Sequence, residues 1–107
     1  MTVKSLKNSF RPTSTAEATL YTADTNGPGV LITHFAAHND TATAAMYSVK
    51  IYPASGAAYS LVPFKVLNRY RYDVPQSVVG AVIPPGGRIV ASSSIANTIS
   101  FTVAGDV

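Results

Sequence analysis

The sequence predicts an all-β protein, folded as an antiparallel two-sheet sandwich or a jelly-roll-like barrel of about seven to eight short strands. Strand and turn signals alternate throughout residues 17–107. Apolar residues recur at every second position in several segments, and no segment shows the period of an amphipathic helix. With 107 residues, the chain has the size of one domain.

The first strands lie between groups of turn-forming residues. Residues 20–22 are expected to form a strand that ends at the Asp, Asn, Gly and Pro residues of 24–29. Residues 30–38 follow, and both faces of this segment are mainly apolar, which is typical of a central strand. In the next strand, over residues 44–52, alternate apolar side chains at 47, 49 and 51 should share one face.

The second half of the chain contains the less regular segments. Residues 59–72 include Pro63, which cannot donate a ladder hydrogen bond, so they should form an edge strand or an extended crossover. Residues 77–83 are predicted to be a strand that is closed by a type II turn at 84–87, where proline and glycine supply the required φ angles. Strands over 89–93 and 99–103 complete the pattern, and the last has the clearest alternation.

Residues 1–16 are predicted to be an extended basic N-terminal arm, with residues 17–107 as a single β-sandwich domain. The arm contains Lys4, Lys7 and Arg11 and no acidic residue, so it accounts for the whole net charge of +3. It shows no clear helical or strand period. We therefore expect it either to be a frayed terminus or to lie extended across a neighbouring subunit.

The composition favours assembly with another protein. Charged residues make up 12% of the chain and apolar residues 47%, whereas charged residues usually reach about 25%. A compact monomer cannot bury so many apolar side chains, so part of its surface should be covered by another subunit. The absence of cysteine excludes disulfides and thiolate zinc sites, and no apolar run is long enough to span a membrane.

Candidate catalytic and metal sites receive little support. His34 and His38 are four residues apart, which on a strand separates them by about 13 Å, too far for one metal ion. The sequence has no nucleophile elbow, no phosphate loop and no evident carboxylate pair. We therefore expect no enzymatic activity, no metal and no cofactor.

The segment from residue 64 to 73 alternates basic and aromatic residues. In one continuous strand the basic side chains would share one face and the aromatic side chains the other. Such a segment could be a protein interface, a solvated edge strand that discourages sheet extension, or a polyanion site. The opposite faces and the neutral body disfavour nucleic acid. The candidate interface residues are Lys4, Lys7, Phe10, Arg11, Phe64, Lys65, Arg69, Tyr70, Arg71 and Tyr72.

A series of short motifs spreads over residues 18–107. The motifs are LYT at 20–22, GVLIT at 29–33, VKIYP at 49–53, IPPGG at 83–87 and FTVAG at 101–105. In this order they resemble the small β-sandwich structural proteins of tailed bacteriophages. The basic and aromatic segment at 64–72 departs from the plainer alternation of that family, which suggests a partner specific to this protein.

The resemblance implies a virion structural role, either in capsid decoration or cementing or as an accessory of the tail or collar. It implies a homo-oligomer that binds other virion proteins, such as major capsid or tail proteins, after assembly in the host bacterial cytoplasm. Membrane and nucleic-acid partners are not expected. The alternative is a receptor- or glycan-binding sandwich module, against which we count the lack of Trp and the position of most tyrosines within predicted strands.

Overall fold

The computed structural model describes residues 3–107, which form nine strands in two packed antiparallel sheets. The fold is therefore all-β, and a sandwich is the correct one of the two predicted architectures. Residues 3–107 contain no helix long and apolar enough to cross a membrane. The strands are β1 (Val3–Phe10), β2 (Ala18–Thr22), β3 (Val30–Asn39), β4 (Ala45–Tyr52), β5 (Tyr59–Leu67), β6 (Arg71–Asp73), β7 (Val82–Ile83), β8 (Arg88–Ser93) and β9 (Ile99–Asp106).

The two sheets divide the chain in an interleaved order. Sheet A has the strand order β1-β9-β3-β6, with β7 also paired to β3, and sheet B has the order β2-β8-β4-β5. The position of β5 at an edge confirms the edge-strand interpretation drawn from Pro63, because an edge strand tolerates a missing donor. Since β5 and β6 are consecutive but belong to different sheets, one side of the sandwich carries both of them.

Alternating apolar residues on the central strands form the core between the sheets. On β9 the side chains at 99, 101 and 103 are fully buried, and on β4 those at 47, 49 and 51 are fully buried. Both alternations were predicted. Phe101 lies at the centre, with its ring centroid 6.1 Å from the ring of Phe35 and 6.1 Å from that of Tyr47. Full burial of such side chains contributes about 1.5–3 kcal/mol each.

Strand β3 contains a β-bulge that explains its two apolar faces. The register of β3 against β9 shifts between Ile32 and His34. In a regular strand Ile32 and Phe35 would point to opposite faces, but the extra residue of a bulge restores both to the core side. Ile32 and Phe35 are indeed both fully buried. The apolar residues on either side of the bulge therefore point to the same core face.

The segments on either side of β7 were predicted to be a strand before it and a type II turn after it, and the turn prediction is the correct one. The Gly87 amide donates to the Pro84 carbonyl at 2.8 Å, and Gly86 has a φ of 75°, which confirms the type II turn. The predicted strand over residues 77–83 is wrong over most of its length, because only Val82–Ile83 is a strand. The amide of Val78 bonds to the carbonyl of Pro75, so a turn occupies the preceding residues.

The N-terminal segment is extended, but it lies on its own chain. Strand β1 pairs antiparallel with β9, and its register shifts between Ser5 and Lys7 and again between Lys7 and Phe10. These irregularities interrupt the alternation, which is why the sequence shows no strand period there. Leu6 and Phe10 pack against the core cluster. Residues 3–10 are thus an edge strand of sheet A and not a frayed end. Their contact with a neighbouring subunit stays a prediction.

Candidate interaction surface

The basic and aromatic segment spans two strands and a turn, so the expected division into one basic and one aromatic face is wrong. β5 ends at Leu67, a turn includes Arg69 and Tyr70, and Arg71 begins β6 in the other sheet. Tyr70 has a φ of 57°. This left-handed conformation costs a residue with a Cβ roughly 1–2 kcal/mol. It allows the chain to turn from β5 in sheet B into β6 in sheet A.

Three exposed apolar side chains form a group on the outer face of sheet B, which we call the apolar patch. Met46, Phe64 and Val66 are 38%, 58% and 57% exposed. Met46 and Val66 are directly opposite each other in the β4–β5 register. Phe64 is two residues from Val66 on β5, so both side chains point to the same face. The patch therefore lies at the β4–β5 edge of sheet B.

The charged residue between Phe64 and Val66 points the other way and is neutralised. The Lys65 ammonium Nζ lies 2.9 Å from Oδ2 of Asp73 on β6. The hydroxyl of Tyr47 donates a hydrogen bond to the same carboxylate oxygen. These three side chains connect sheet B to sheet A beside the core, and they leave the apolar patch without a net charge on its own strand.

This polar connection shifts two pKa values. Burial raises the pKa of the Tyr47 hydroxyl well above its ordinary value of 10.0, and the neighbouring Asp73 carboxylate raises it further. Burial alone would raise the pKa of Asp73. The hydrogen bond from Tyr47 and the contact with Lys65 outweigh burial, so the pKa of Asp73 lies below its ordinary value of 3.8. The ionised carboxylate is therefore the form that the folded protein stabilises.

A second cluster at the other end of sheet B has its charges paired within the chain. Lys50 Nζ lies 2.9 Å from a carboxylate oxygen of Glu17, whose other oxygen accepts a hydrogen bond from Tyr52. The Arg88 guanidinium stacks over the Tyr52 ring at 4.3 Å. The Tyr52 hydrogen bond, with the contact from Lys50, lowers the pKa of Glu17. This cluster holds the segment before β2 against β4 and β8.

Sheet A carries a different surface, which we call the tyrosine depression. It is an open cavity of about 240 Å³ lined by His38, Asn39, Asp40, Tyr70, Arg71 and Tyr72. Tyr70 and Tyr72 are 68% and 70% exposed. The Tyr72 ring lies beside the His38 imidazole, with centroids 5.9 Å apart and planes tilted by 30°. Two exposed aromatic rings thus border a small open cavity, and the other residues that line it carry polar side chains.

The loop beside this depression is fixed by one buried amide. Asn39 is 1% exposed, and its Nδ2 donates to the carbonyls of Thr43 and Leu67 at 2.8 and 3.1 Å. Its Oδ1 accepts from the amide of Thr41 at 3.0 Å. Asp40 Oδ1 contacts Arg11 Nη2 at 2.5 Å, whereas its Oδ2 has no hydrogen-bond partner within residues 3–107. Asp40 therefore stands in a defined position with one free carboxylate oxygen.

The candidate residues of the N-terminal segment do not form one surface with those of β5 and β6. Lys4 is exposed on β1, and Lys7 lies 4.7 Å from the ring of the partly buried Phe10. Arg11 is the exception, because it contacts Asp40 at the tyrosine depression. Sequence reasoning missed Met46, His38 and Asp40 as surface residues of interest. They were missed because strand pairing brings them to these surfaces, and their spacing along the chain does not show which strands pair.

The histidines occupy separate positions on one strand. His34 and His38 are both exposed on β3. Within residues 3–107, no group of three or more His, Asp or Glu side chains is placed to hold a metal ion. His38 thus takes part in the tyrosine depression, where it lines the cavity and lies beside Tyr72.

Comparisons with known proteins do not assign a function to these surfaces. The chain matches no family model, no curated protein and no solved structure. An assignment of function therefore depends on the chemistry of the surfaces themselves.

Proposed function

We propose that the protein is a non-enzymatic structural subunit of tailed-bacteriophage particles, which assembles with copies of itself and with capsid or tail proteins. The observation that carries the proposal is the apolar patch of Met46, Phe64 and Val66, exposed together on one sheet face. Grouped apolar side chains on a small domain mark a surface that a partner covers.

The physical reason for association is the free energy of burying that patch. Fully burying a side chain of this type contributes about 1.5–3 kcal/mol, and three neighbouring side chains can act as the anchor of an interface. Only 12% of the residues are charged, so little electrostatic repulsion opposes the approach of another subunit.

The favoured partner of the patch is the same patch on a second copy. Lys65 is held by Asp73, so two patches can approach without bringing free like charges together. Pro63 removes a donor from the exposed edge of β5, which disfavours main-chain pairing across that edge. Packing of the two faces therefore explains self-association better than extension of sheet B does.

The virion role is supported by the resemblance of the motifs at 20–105 to phage β-sandwich structural proteins. A subunit of this kind works by mass action, since it binds the assembled state in preference to the free parts and so stabilises it. Such a role requires a rigid sandwich with exposed contact surfaces and requires no chemistry from the side chains.

The proposal is tested by following incorporation into particles. Cells that produce the phage are supplied with the wild-type chain, the Phe64→Ser/Val66→Thr double variant, or the control Val82→Thr. Val82 is exposed on sheet A, away from the patch. We expect purified particles to contain the wild type and the control at equal copy number and the double variant at less than about a tenth of it, a loss worth about 1.4 kcal/mol. Absence of the wild-type protein from the particles, or full incorporation of the double variant, would contradict the proposal.

A further inference from the structure

We infer that the tyrosine depression of sheet A is a binding site for an acidic saccharide, meaning a sugar that carries a carboxylate or phosphate group. The site lies on β3 and β6 and the adjoining turns of sheet A, whereas the apolar patch lies on β4 and β5 of sheet B. The inference is therefore independent of the proposed assembly role, and either can fail alone.

The two tyrosines are explained neither by packing nor by turn chemistry. Tyr70 occupies a left-handed position, where Gly or Asn would be less strained, and its side chain is 68% exposed. Tyr72 is 70% exposed although it is on a paired strand. Exposed rings of this kind offer flat apolar faces together with a hydroxyl group. A sugar ring, with one apolar face and a polar rim, matches that combination.

The polar groups around the rings provide the rest of the recognition. Arg71 is exposed and forms no ion pair within residues 3–107, so its planar guanidinium can bind a carboxylate or phosphate with two parallel hydrogen bonds. Asp40 Oδ2 can accept a hydrogen bond from a sugar hydroxyl, and the imidazole of His38 can form another. One cation, one carboxylate and two rings thus surround the same small cavity.

The same groups argue against a single strand of nucleic acid as the ligand. Stacking of bases would suit Tyr70 and Tyr72, but Arg71 is the one cation among the residues that line the cavity. It can hold a single anionic group, whereas a nucleic-acid strand needs a basic groove that follows its backbone. The cavity of about 240 Å³ is also small, below the range of roughly 300–1,000 Å³ that is typical of sites for drug-sized ligands. A cavity of this size suits a ligand as small as a single sugar ring.

The site is held in place before any ligand arrives. Asn39 fixes the loop that carries Asp40, through three hydrogen bonds to backbone groups. Asp73 anchors the end of β6 to Tyr47 and Lys65. Because the supporting elements are fixed, binding requires little ordering of the protein, which favours a small ligand.

Saturation-transfer difference NMR on the full chain tests the inference with defined probes. The probes observed directly are glucuronic acid, galacturonic acid, glucose 6-phosphate, glucose and a short single-stranded DNA. Inorganic phosphate has no carbon-bound proton, so its binding is measured by its competition with the glucose 6-phosphate signal. We expect saturation of the ring protons of the acidic sugars, loss of that signal in Tyr72→Ala, and no change in Tyr59→Ala, an exposed tyrosine on β5. Arg71→Gln should weaken binding of the acidic sugars at least roughly fivefold while leaving any glucose binding unchanged.

Four results would overturn the inference. One is the absence of saturation in every sugar, and a second is an undiminished signal in a folded Tyr72→Ala protein. A third is binding of inorganic phosphate as strong as that of glucose 6-phosphate, which would reduce the site to an anion contact. The fourth is binding of the DNA, dependent on Tyr72 and Arg71, without binding of the sugars. Because Tyr72 and Arg71 are exposed, both variants are expected to fold, and their amide spectra check this.

Discussion

Tyr47 illustrates how one side chain can serve both the core and the polar connection between the sheets. Its ring packs against Phe101 at the centre of the molecule, while its hydroxyl reaches Asp73 on the opposite sheet. A buried hydroxyl without a partner would destabilise the fold, and the carboxylate removes that penalty. Lys65 completes the group. The stability of this side of the sandwich should therefore depend on the ionisation of Asp73.

Replacement of Asp73 by Asn should lower the free energy of unfolding at neutral pH and make it vary less with pH in the acid range. In the wild type the folded pKa of Asp73 is below its ordinary value, so the unfolded chain binds more protons near pH 4. The stabilising contribution is therefore present above that pH and is lost as the pH falls through the folded pKa. We expect Asp73→Asn to reduce the free energy of unfolding by about 1 kcal/mol at pH 7, measured by urea denaturation.

A matched control for this measurement is Asp106→Asn, on β9. Asp106 lacks the contacts that Asp73 makes, so this substitution should change the free energy of unfolding by less than about 0.5 kcal/mol. The wild-type and Asp73→Asn stabilities should converge as the pH falls from about 4 through the folded pKa of Asp73, because below that pKa Asp73 is protonated in both states of the wild type. A constant difference between the two proteins from pH 7 to pH 2 would show that the carboxylate charge plays no part.

Among the strands, β1 shows most clearly how the fold differs from a body with a free arm. It covers the edge of β9, and it places Leu6 and Phe10 against the core. A further contact follows β1, where the amide of Asn97 donates to the carbonyl of Pro12 at 3.0 Å. The basic character of the segment belongs to the exposed side of an edge strand, where lysine discourages unwanted pairing.

Removal of residues 1–10 should therefore destabilise the protein and expose the edge of β9. Loss of two partly buried apolar side chains is expected to cost about 2–4 kcal/mol, seen as a lower midpoint of urea denaturation. Lys4→Ser, an exposed change on the same strand, serves as the control and should change the free energy of unfolding by less than about 0.5 kcal/mol. A truncated protein with the wild-type midpoint would show that β1 does not contribute to the fold.

Regular strands were predictable from the sequence, whereas irregular pairing was not. The alternation in β4 and β9 identified their buried residues, because both follow the period of two on the core side. The bulges in β1 and β3 break that period, and the left-handed Tyr70 divides a segment that looked continuous. Phe64 and Tyr72 were singled out in the sequence, but the assignment of each to a different sheet required the topology.

At the scale of the whole molecule, the two sheets carry surfaces of different chemistry. The molecule measures 42 × 27 × 22 Å, and the two surfaces belong to different sheets of it. Sheet B presents the apolar patch at the β4–β5 edge, and sheet A presents the tyrosine depression at the end of β3 and β6. This separation allows one face to bind another subunit while the other stays accessible to a small ligand.

Sedimentation equilibrium of the purified chain over a range of micromolar concentrations tests the central claim, self-association through the apolar patch, most directly. We predict that the wild type and Val82→Thr have masses that rise with concentration to at least twice the 11.2 kDa of one chain. The Phe64→Ser/Val66→Thr variant should remain at the mass of one chain, with unchanged thermal stability because both side chains are exposed. A wild type that stays monomeric, or a double variant that associates as the wild type does, would contradict the account.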